Sequence, residues 1–372
     1  MKLPFNPSPW LSFLDPPAPP LLGIDVSAAS VKVVELSRKR NGQIVYEGHA
    51  IEPLPREAVG HRDSSENSDR VNAEVSAAIG RAVKKLKSAT RQVAVGMPAN
   101  MVILKRIVVS DQMDESDIAD EAAREMQKSM TFSLDEVLID WDIMGPANNA
   151  LGDVEALICA TRRDRVLERE ALVEMAGLRP RIIDVDSYAS MRAFERMIRQ
   201  VELEGKVCGV IDAGSRTTHV AFLQNGDLLF EREITLGSDS LVEELMRQKK
   251  AGNKDEAERV IAGGHNFEGY ESRFLRPFIG NLASEIDRVL QYFLTQASAE
   301  RVDHLFLAGG AALLQGLDSS VSELCGVPCE RADLFTGIEV PARFARALKH
   351  DSLRLAVALG LAMRRFDPSD HD

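Results

Sequence analysis

The strongest constraint on the fold is a pattern that occurs twice. Leu21–Leu36 reads LLGIDVSAASVKVVEL: an apolar run ending in Gly23-Ile24-Asp25, a small polar loop Ser27-Ala28-Ala29-Ser30, then a second apolar run. Val210–Phe222, VIDAGSRTTHVAF, repeats the layout, and its Asp212 lies 187 positions after Asp25. Short apolar runs rich in β-branched residues, joined by small residues, predict hairpins. A tip of Ser, Ala and Gly lets backbone N–H groups approach a ligand, and a row of such groups forms a nest for phosphate. Each aspartate ends its strand beside a tip, where a carboxylate can hold Mg2+ through waters. Lys32 can meet phosphate as a point charge. One such hairpin is ordinary. Two predict duplicated halves that grip a nucleotide in the cleft between them.

A third stretch completes the set. Asp303–Leu317, DHLFLAGGAALLQGL, predicts a strand, the pair Gly309-Gly310 followed by Ala311, then a helix whose N-terminus favours anions. Thr217 and Thr218 offer hydroxyls at the second tip. Arg216 there reads equally as a phosphate contact or a solvated loop residue. Gly237-Ser238 precede a helix expected to start near Ser240, which can approach the nucleotide. Asp186 opens the helical run Asp186–Gln200. It is either a helix cap or a cleft-facing carboxylate that orients an attacking water. No stronger catalytic base is evident, so any ATP turnover is expected to be slow.

The 372 residues suffice for two domains with ample core. A net charge of −12 argues against nucleic-acid binding, as does an aromatic content of 5%. No run reaches the roughly 20 apolar residues of a membrane span. Of the four cysteines, Cys159 and Cys208 sit in apolar runs and read as buried thiols. Cys325 and Cys329 lack the second pair or histidine that a metal site needs. This usage predicts a reduced, cytoplasmic protein. Met1–Pro20 holds seven of the 16 prolines and reads as a flexible tail. Its apolar patch Trp10–Leu14 is either unstructured or a docking peptide. A single basic residue, Lys2, and the prolines argue against a secretory signal.

Periodicity predicts further strands at Ile44–Ala50, Gln92–Gly96, Met101–Val109, Asp135–Trp141, Val154–Thr161, Arg181–Val185 and Leu228–Thr235. Helices are expected at Val71–Leu86, Met113–Met130, Asp164–Ala176, Lys254–Ala262, Phe274–Gln296, Ser319–Leu324 and Leu353–Met363. Arg56–Asp69 reads as a polar loop.

The Asp-led tips followed by Leu307-Ala308-Gly309-Gly310 resemble the phosphate-1, phosphate-2 and adenosine motifs of the actin-like ATPases. Within that superfamily the chain is similar to the PilM-type proteins of type IV pilus assembly from about Leu21 to Phe366. Shared stretches include Asp135–Asp140, Asp184–Ala189 and Ala358–Arg364. The resemblance implies a duplicated, ribonuclease H-like α/β fold of two domains. The expected boundaries are a tail at 1–20, subdomain 1A at 21–98, an inserted 1C-type subdomain at 99–176, and a return with its connecting helix at 177–204. Domain 2 would span 205–350, and a helix at 351–372 would return to domain 1. It implies ATP or ADP with Mg2+, held by Asp25, Ser27, Ala28, Ser30, Lys32, Asp212, Gly214, Ser215, Thr217, Thr218, Gly237, Ser238, Glu258, Gly309, Gly310 and Ala311. Asp25 and Asp212 would bind the metal through water. It further implies a cytoplasmic protein that reaches the inner membrane only through partners, foremost the N-terminal peptide of PilN, and that links the membrane platform to the pilus motor. Self-association is a further expectation. Two departures stand out. Ile261 occupies the place of a lysine that relatives set near the adenine, and Ser129-Met130-Thr131 replaces Tyr-Ile-Pro at the rim of the PilN groove.

Overall fold

The computed structural model describes residues 19–54, 65–130, 132–147, 152–201, 203, 205–263, 267–296 and 301–367. The proline-rich tail, apart from its last two residues, lies outside this set, as does most of the expected loop at 56–69.

Two five-stranded sheets share one topology. The first comprises β1 (Leu22–Val26), β2 (Ser30–Arg38), β3 (Ile44–Pro53), β4 (Gln92–Met97) and β8 (Arg179–Val185), in the order β3-β2-β1-β4-β8. The second comprises β9 (Val207–Ala213), β10 (Thr218–Gln224), β11 (Asp227–Ile234), β12 (His304–Ala308) and β13 (Cys329–Arg331), in the order β11-β10-β9-β12-β13. In both, the first three strands form an antiparallel meander and the last two join parallel to the first. Each half is thus the same folding unit, as the repeated hairpin predicts.

Five layers result. Helix α1 (Ser65–Leu86) and α3 (Arg163–Met175) cover the outer face of the first sheet through Val75, Ile79, Leu172 and Val173. Helices α5 (Ser238–Arg247), α6 (Lys254–Ile261), α7 (Arg276–Gln296) and α8 (Leu317–Cys325) cover the outer face of the second. Between the sheets run α4 (Asp186–Gln200) and α10 (Ala356–Met363), whose Phe194, Met197, Ala358 and Leu359 share one core with Val34 of β2 and Val210 of β9. Helix α10 is apolar all round because it has no wet face. It can lie flat on β1 because residue 23 is glycine: a Cβ there would stand 2.1 Å from the Ala358 carbonyl oxygen. Preceding it, α9 (Ala342–Asp351) is tied to β3: His49, against the buried Tyr46 hydroxyl, hydrogen-bonds Asp351 Oδ2 through Nε2 at 3.1 Å.

The insert is a third sheet, β5 (Val102–Ser110), β7 (Asp153–Arg162) and β6 (Val137–Pro146), antiparallel in the order β5-β7-β6. Helix α2 (Glu115–Ser129) packs on one face, with Ala122 and Met126 against Ile158 and Ala160. Its N-cap is Asp114, which accepts from Asp117 N at 2.9 Å, and Glu115 and Asp117 complement the helix dipole. No helix among the described residues is long and apolar enough to cross a membrane.

Some expectations need correction. Helix α1 starts at Ser65, inside the expected loop. Strand β6 runs on to Pro146 because it pairs with β7 along its whole length. Cys159 is half-buried rather than buried, as β7 turns alternate residues to opposite faces. Helix α9 and strand β13 were not anticipated.

Candidate functional site

The two hairpin tips face one cavity of about 410 Å3 between the halves. Both are four-residue turns closed alike: Ser27 N donates to Ser30 O at 3.1 Å, and Gly214 N to Thr217 O at 2.9 Å. Strand register then fixes what stands beside each aspartate. Asp25 is opposite Lys32, whereas Asp212 is opposite His219. Directly opposed residues on antiparallel strands share a face. Lys32 Nζ accordingly pairs with Asp25 Oδ2 at 2.6 Å and donates to Ser27 Oγ at 3.2 Å. His219 turns instead to Glu231, 2.9 Å away. The halves are therefore alike in backbone and unlike beside the aspartates: Lys32 stands opposite the first and His219 opposite the second, whose tip carries Arg216 instead.

Asp186 completes the acidic floor. It is the first residue of α4, one past the cap position, which Val185 holds. Its carboxyl lines the cavity, and Oδ1 is sealed from solvent with no hydrogen-bond partner. Gly96 makes this possible, since a Cβ there would sit 1.7 Å from Asp186 Oδ1. Burial first, and then the Asp25 carboxylate, push Asp186 up to about 8. Burial also raises Asp212, partly offset by Lys32 and by a hydrogen bond from Ser190 Oγ at 3.2 Å. Three carboxyl groups thus crowd one cleft, two of them held back from ionising. A divalent cation would relieve that crowding, but no three such side chains among the described residues are placed to ligate one directly, so these carboxylates would hold it only through water.

Of the expected binding residues, Asp25, Ser27, Ala28, Lys32, Asp212, Gly214 and Thr217 line this cavity together with Asp186. Ser30 is buried beneath its turn. Thr218 is not available to a ligand: it is fully buried and its hydroxyl donates to Leu236 O at 2.8 Å. Ser215 accepts from Asp239 N at 2.7 Å, and Gly214 accepts from Ser238 N at 3.2 Å, which ties the second tip to the start of α5. Gly237 lines a neighbouring cavity. Glu258 is exposed on α6 and lines neither, while Ile261 packs against the second core.

The stretch Gly309–Ala311 is not part of the cavity wall. Gly309 packs behind Asp212: it has φ +89°, and a Cβ would stand 2.3 Å from Ala213 O and 2.6 Å from Asp212 Oδ1. The expected helix does not begin there. A single 3-10 turn, Ala311–Leu313, intervenes, and α8 starts at Leu317. Ala311 is fully buried in the second core.

Several wall residues lie outside the expected set. Ser187 and Ser190 line the cavity from α4, where they interrupt an otherwise apolar buried face, a signal visible in the sequence. Arg169, buried on α3, and Pro98–Met101 after β4 carried no motif.

These features define a duplicated α/β protein of the actin-like fold with an inter-domain cleft lined by carboxyl and basic groups. The solved PilM–PilN type IV pilus biogenesis complex is similar over 95% of this chain and 100% of its own, with a TM-score of 0.80 and 25% identity. The cell division protein FtsA of Streptococcus pneumoniae is 23% identical over 350 residues, 82% of this chain and 73% of that protein. Residues 23–366 match the family described as type IV pilus assembly protein PilM, and the chain belongs to that family.

Proposed function

We propose that the chain is a nucleotide-binding scaffold of type IV pilus assembly, whose bound nucleotide sets its affinity for the N-terminal peptide of PilN. The observation that carries the nucleotide half is the pair of identically closed tips, each with its aspartate, facing one cavity. Asp25 and Asp212 would hold the water shell of Mg2+, which would neutralise the phosphate charge of ATP or ADP. Backbone groups of residues 27–30 and 214–217 would hold phosphates. Lys32 would exchange Asp25 for phosphate oxygen. Asp186, buried beside Asp25, would be the candidate to orient an attacking water, and turnover would be slow or absent.

The partner half draws on the likeness to the PilM–PilN complex and on the insert, read as a 1C-type subdomain. Its strand β6 is a sheet edge with Ile143 and Met144 exposed, and an edge accepts a peptide strand by backbone pairing. Membrane attachment and coupling to the motor would follow through PilN. The test is a labelled peptide copying the PilN N-terminus of the same organism, titrated by fluorescence anisotropy into protein with ATP, with ADP and with neither. Saturable binding that differs between nucleotide states is expected. No binding in any state would overturn the partner assignment.

A further inference from the structure

The chain carries a net charge of −12, yet one face of it is basic. Three elements build that face along the outer edge of β3. The end of α1 and the start of α9 meet at Gly48, where a Cβ would find Leu86 Cδ1 at 2.7 Å and Phe344 Cε1 at 3.7 Å. The β2–β3 turn is tied to the same place: Lys39 pairs with Glu339 at 2.6 Å, and Glu339, just before α9, donates through N to Ile44 O at 2.9 Å. Arg40 of that turn, Lys84 and Lys87 at the end of α1, and Arg343, Arg346 and Lys349 of α9 are all exposed. Among the described residues none of the six pairs with a carboxylate. The carboxylates that border the face are already engaged: Glu339 by Lys39, Glu52 by Arg81 and Lys85, and Asp351 by His49.

Cations three apart on a helix are neighbours and repel one another, as Arg343, Arg346 and Lys349 do, and α9 buries only Leu348 in return. A negatively charged partner would relieve that repulsion. The face selects the kind of partner. None of the six lines a cavity at the cleft, so nothing there defines the shape of a small ligand. Nucleic acid lacks a platform for its bases: the one ring nearby, Phe344, is half-buried and covered by the Arg343 guanidinium at 4.6 Å. Long flexible cations spread over separate elements read charge density alone. An anionic bilayer leaflet offers that, attracting each nearby Lys or Arg roughly fivefold. Such attraction is reversible and works beside a second anchor. The membrane-bound partner of the pilus reading is that anchor, so the choice of lipid rests on that reading, while the basic face does not.

We propose that this basic face, from the β2–β3 turn across the end of α1 to α9, docks directly on a bilayer leaflet rich in anionic headgroups. The full chain, without nucleotide or partner peptide, is sedimented with vesicles of phosphatidylcholine alone and of an equal mixture with phosphatidylglycerol, in low and in high salt. Binding to the mixed vesicles is expected in low salt, with loss in high salt and none to phosphatidylcholine. The triple variant Lys84→Gln, Arg346→Gln, Lys349→Gln should bind the mixed vesicles about 100-fold more weakly, at roughly fivefold per cation. A control with the same charge change on the exposed face of the second domain, Arg247→Gln, Arg276→Gln, Arg288→Gln, should bind as the native chain does. No binding to the mixed vesicles, or equal loss in both triple variants, overturns the proposal. Single-stranded DNA bound as tightly as the mixed vesicles overturns the choice of lipid. With no nucleotide or peptide present, these outcomes bear on the face alone, and failure of the peptide titration bears on the pilus reading alone. Melting curves check folding, and Arg40→Gln, Lys87→Gln, Arg343→Gln replaces the first triple variant should that one unfold.

Discussion

Gly309 and Gly310 are adjacent in sequence and should respond oppositely to the same substitution. Gly309 has φ +89°, and an added Cβ would meet Ala213 O at 2.3 Å and Asp212 Oδ1 at 2.6 Å. Left-handed backbone costs a non-glycine residue roughly 1–2 kcal/mol. Forcing an extra methyl into packed surroundings adds roughly 1–3 kcal/mol, and one clashing atom here is backbone, which cannot swing aside. Gly309→Ala should therefore lose about 2–5 kcal/mol, a large part of the stability of an ordinary domain. Gly310 has φ −65° and ψ −36°, and nothing lies within 4 Å of its added Cβ, so Gly310→Ala should stay within about 0.5 kcal/mol of wild type. Urea denaturation of the full chain, followed by circular dichroism, measures both. Gly309→Ala should also weaken Mg2+-dependent nucleotide binding, because it pushes on Asp212. Equal midpoints for the two variants would refute the packing of β12 behind Asp212.

Lys32→Ala leaves the Asp25 carboxylate, 2% exposed, without its cation, and should cost roughly 3–5 kcal/mol in urea denaturation. The double change Lys32→Met with Asp25→Asn should recover most of that loss; no recovery would show that the pair is not the cause. Asp351 gives a pH signature. Its hydrogen bond to His49, opposed by partial burial, holds its carboxyl down at about 2. A carboxyl depressed in the folded state stabilises above its unfolded pKa near 3.8, and that contribution fades as pH falls toward 2. The stability advantage of wild type over Asp351→Asn should therefore shrink across that window, and parallel acid-denaturation curves would contradict it.

The hairpins were legible because their chemistry is local: an Asp, a small-residue turn and flanking apolar runs specify one another within a dozen residues. Duplication made the global architecture legible too, since two copies of one meander dictate two sheets of like order. What stayed hidden depends on contacts far apart in sequence. The closeness of Gly23 to Ala358, or of Gly96 to Asp186, leaves no periodic trace. Strand β13 is three residues long, and its place is set by pairing with β12. Helix α9 buries only Leu348, so its apolar stripe is too thin to read. Thr218 shows the opposite failure: a hydroxyl that looks available in the sequence belongs to β10, where Leu236 claims it.

The measurement that bears most directly on the account is the nucleotide content and affinity of the purified chain. Nucleotide is extracted and identified, and the stripped protein is titrated with ATP in the presence and absence of Mg2+, beside the double variant Asp25→Ala with Asp212→Ala. The account predicts saturable ATP binding that is tighter with Mg2+, and a double variant in which the Mg2+ effect disappears. ATP binding that is indifferent to Mg2+ and unchanged in the double variant would contradict the assignment of the cleft.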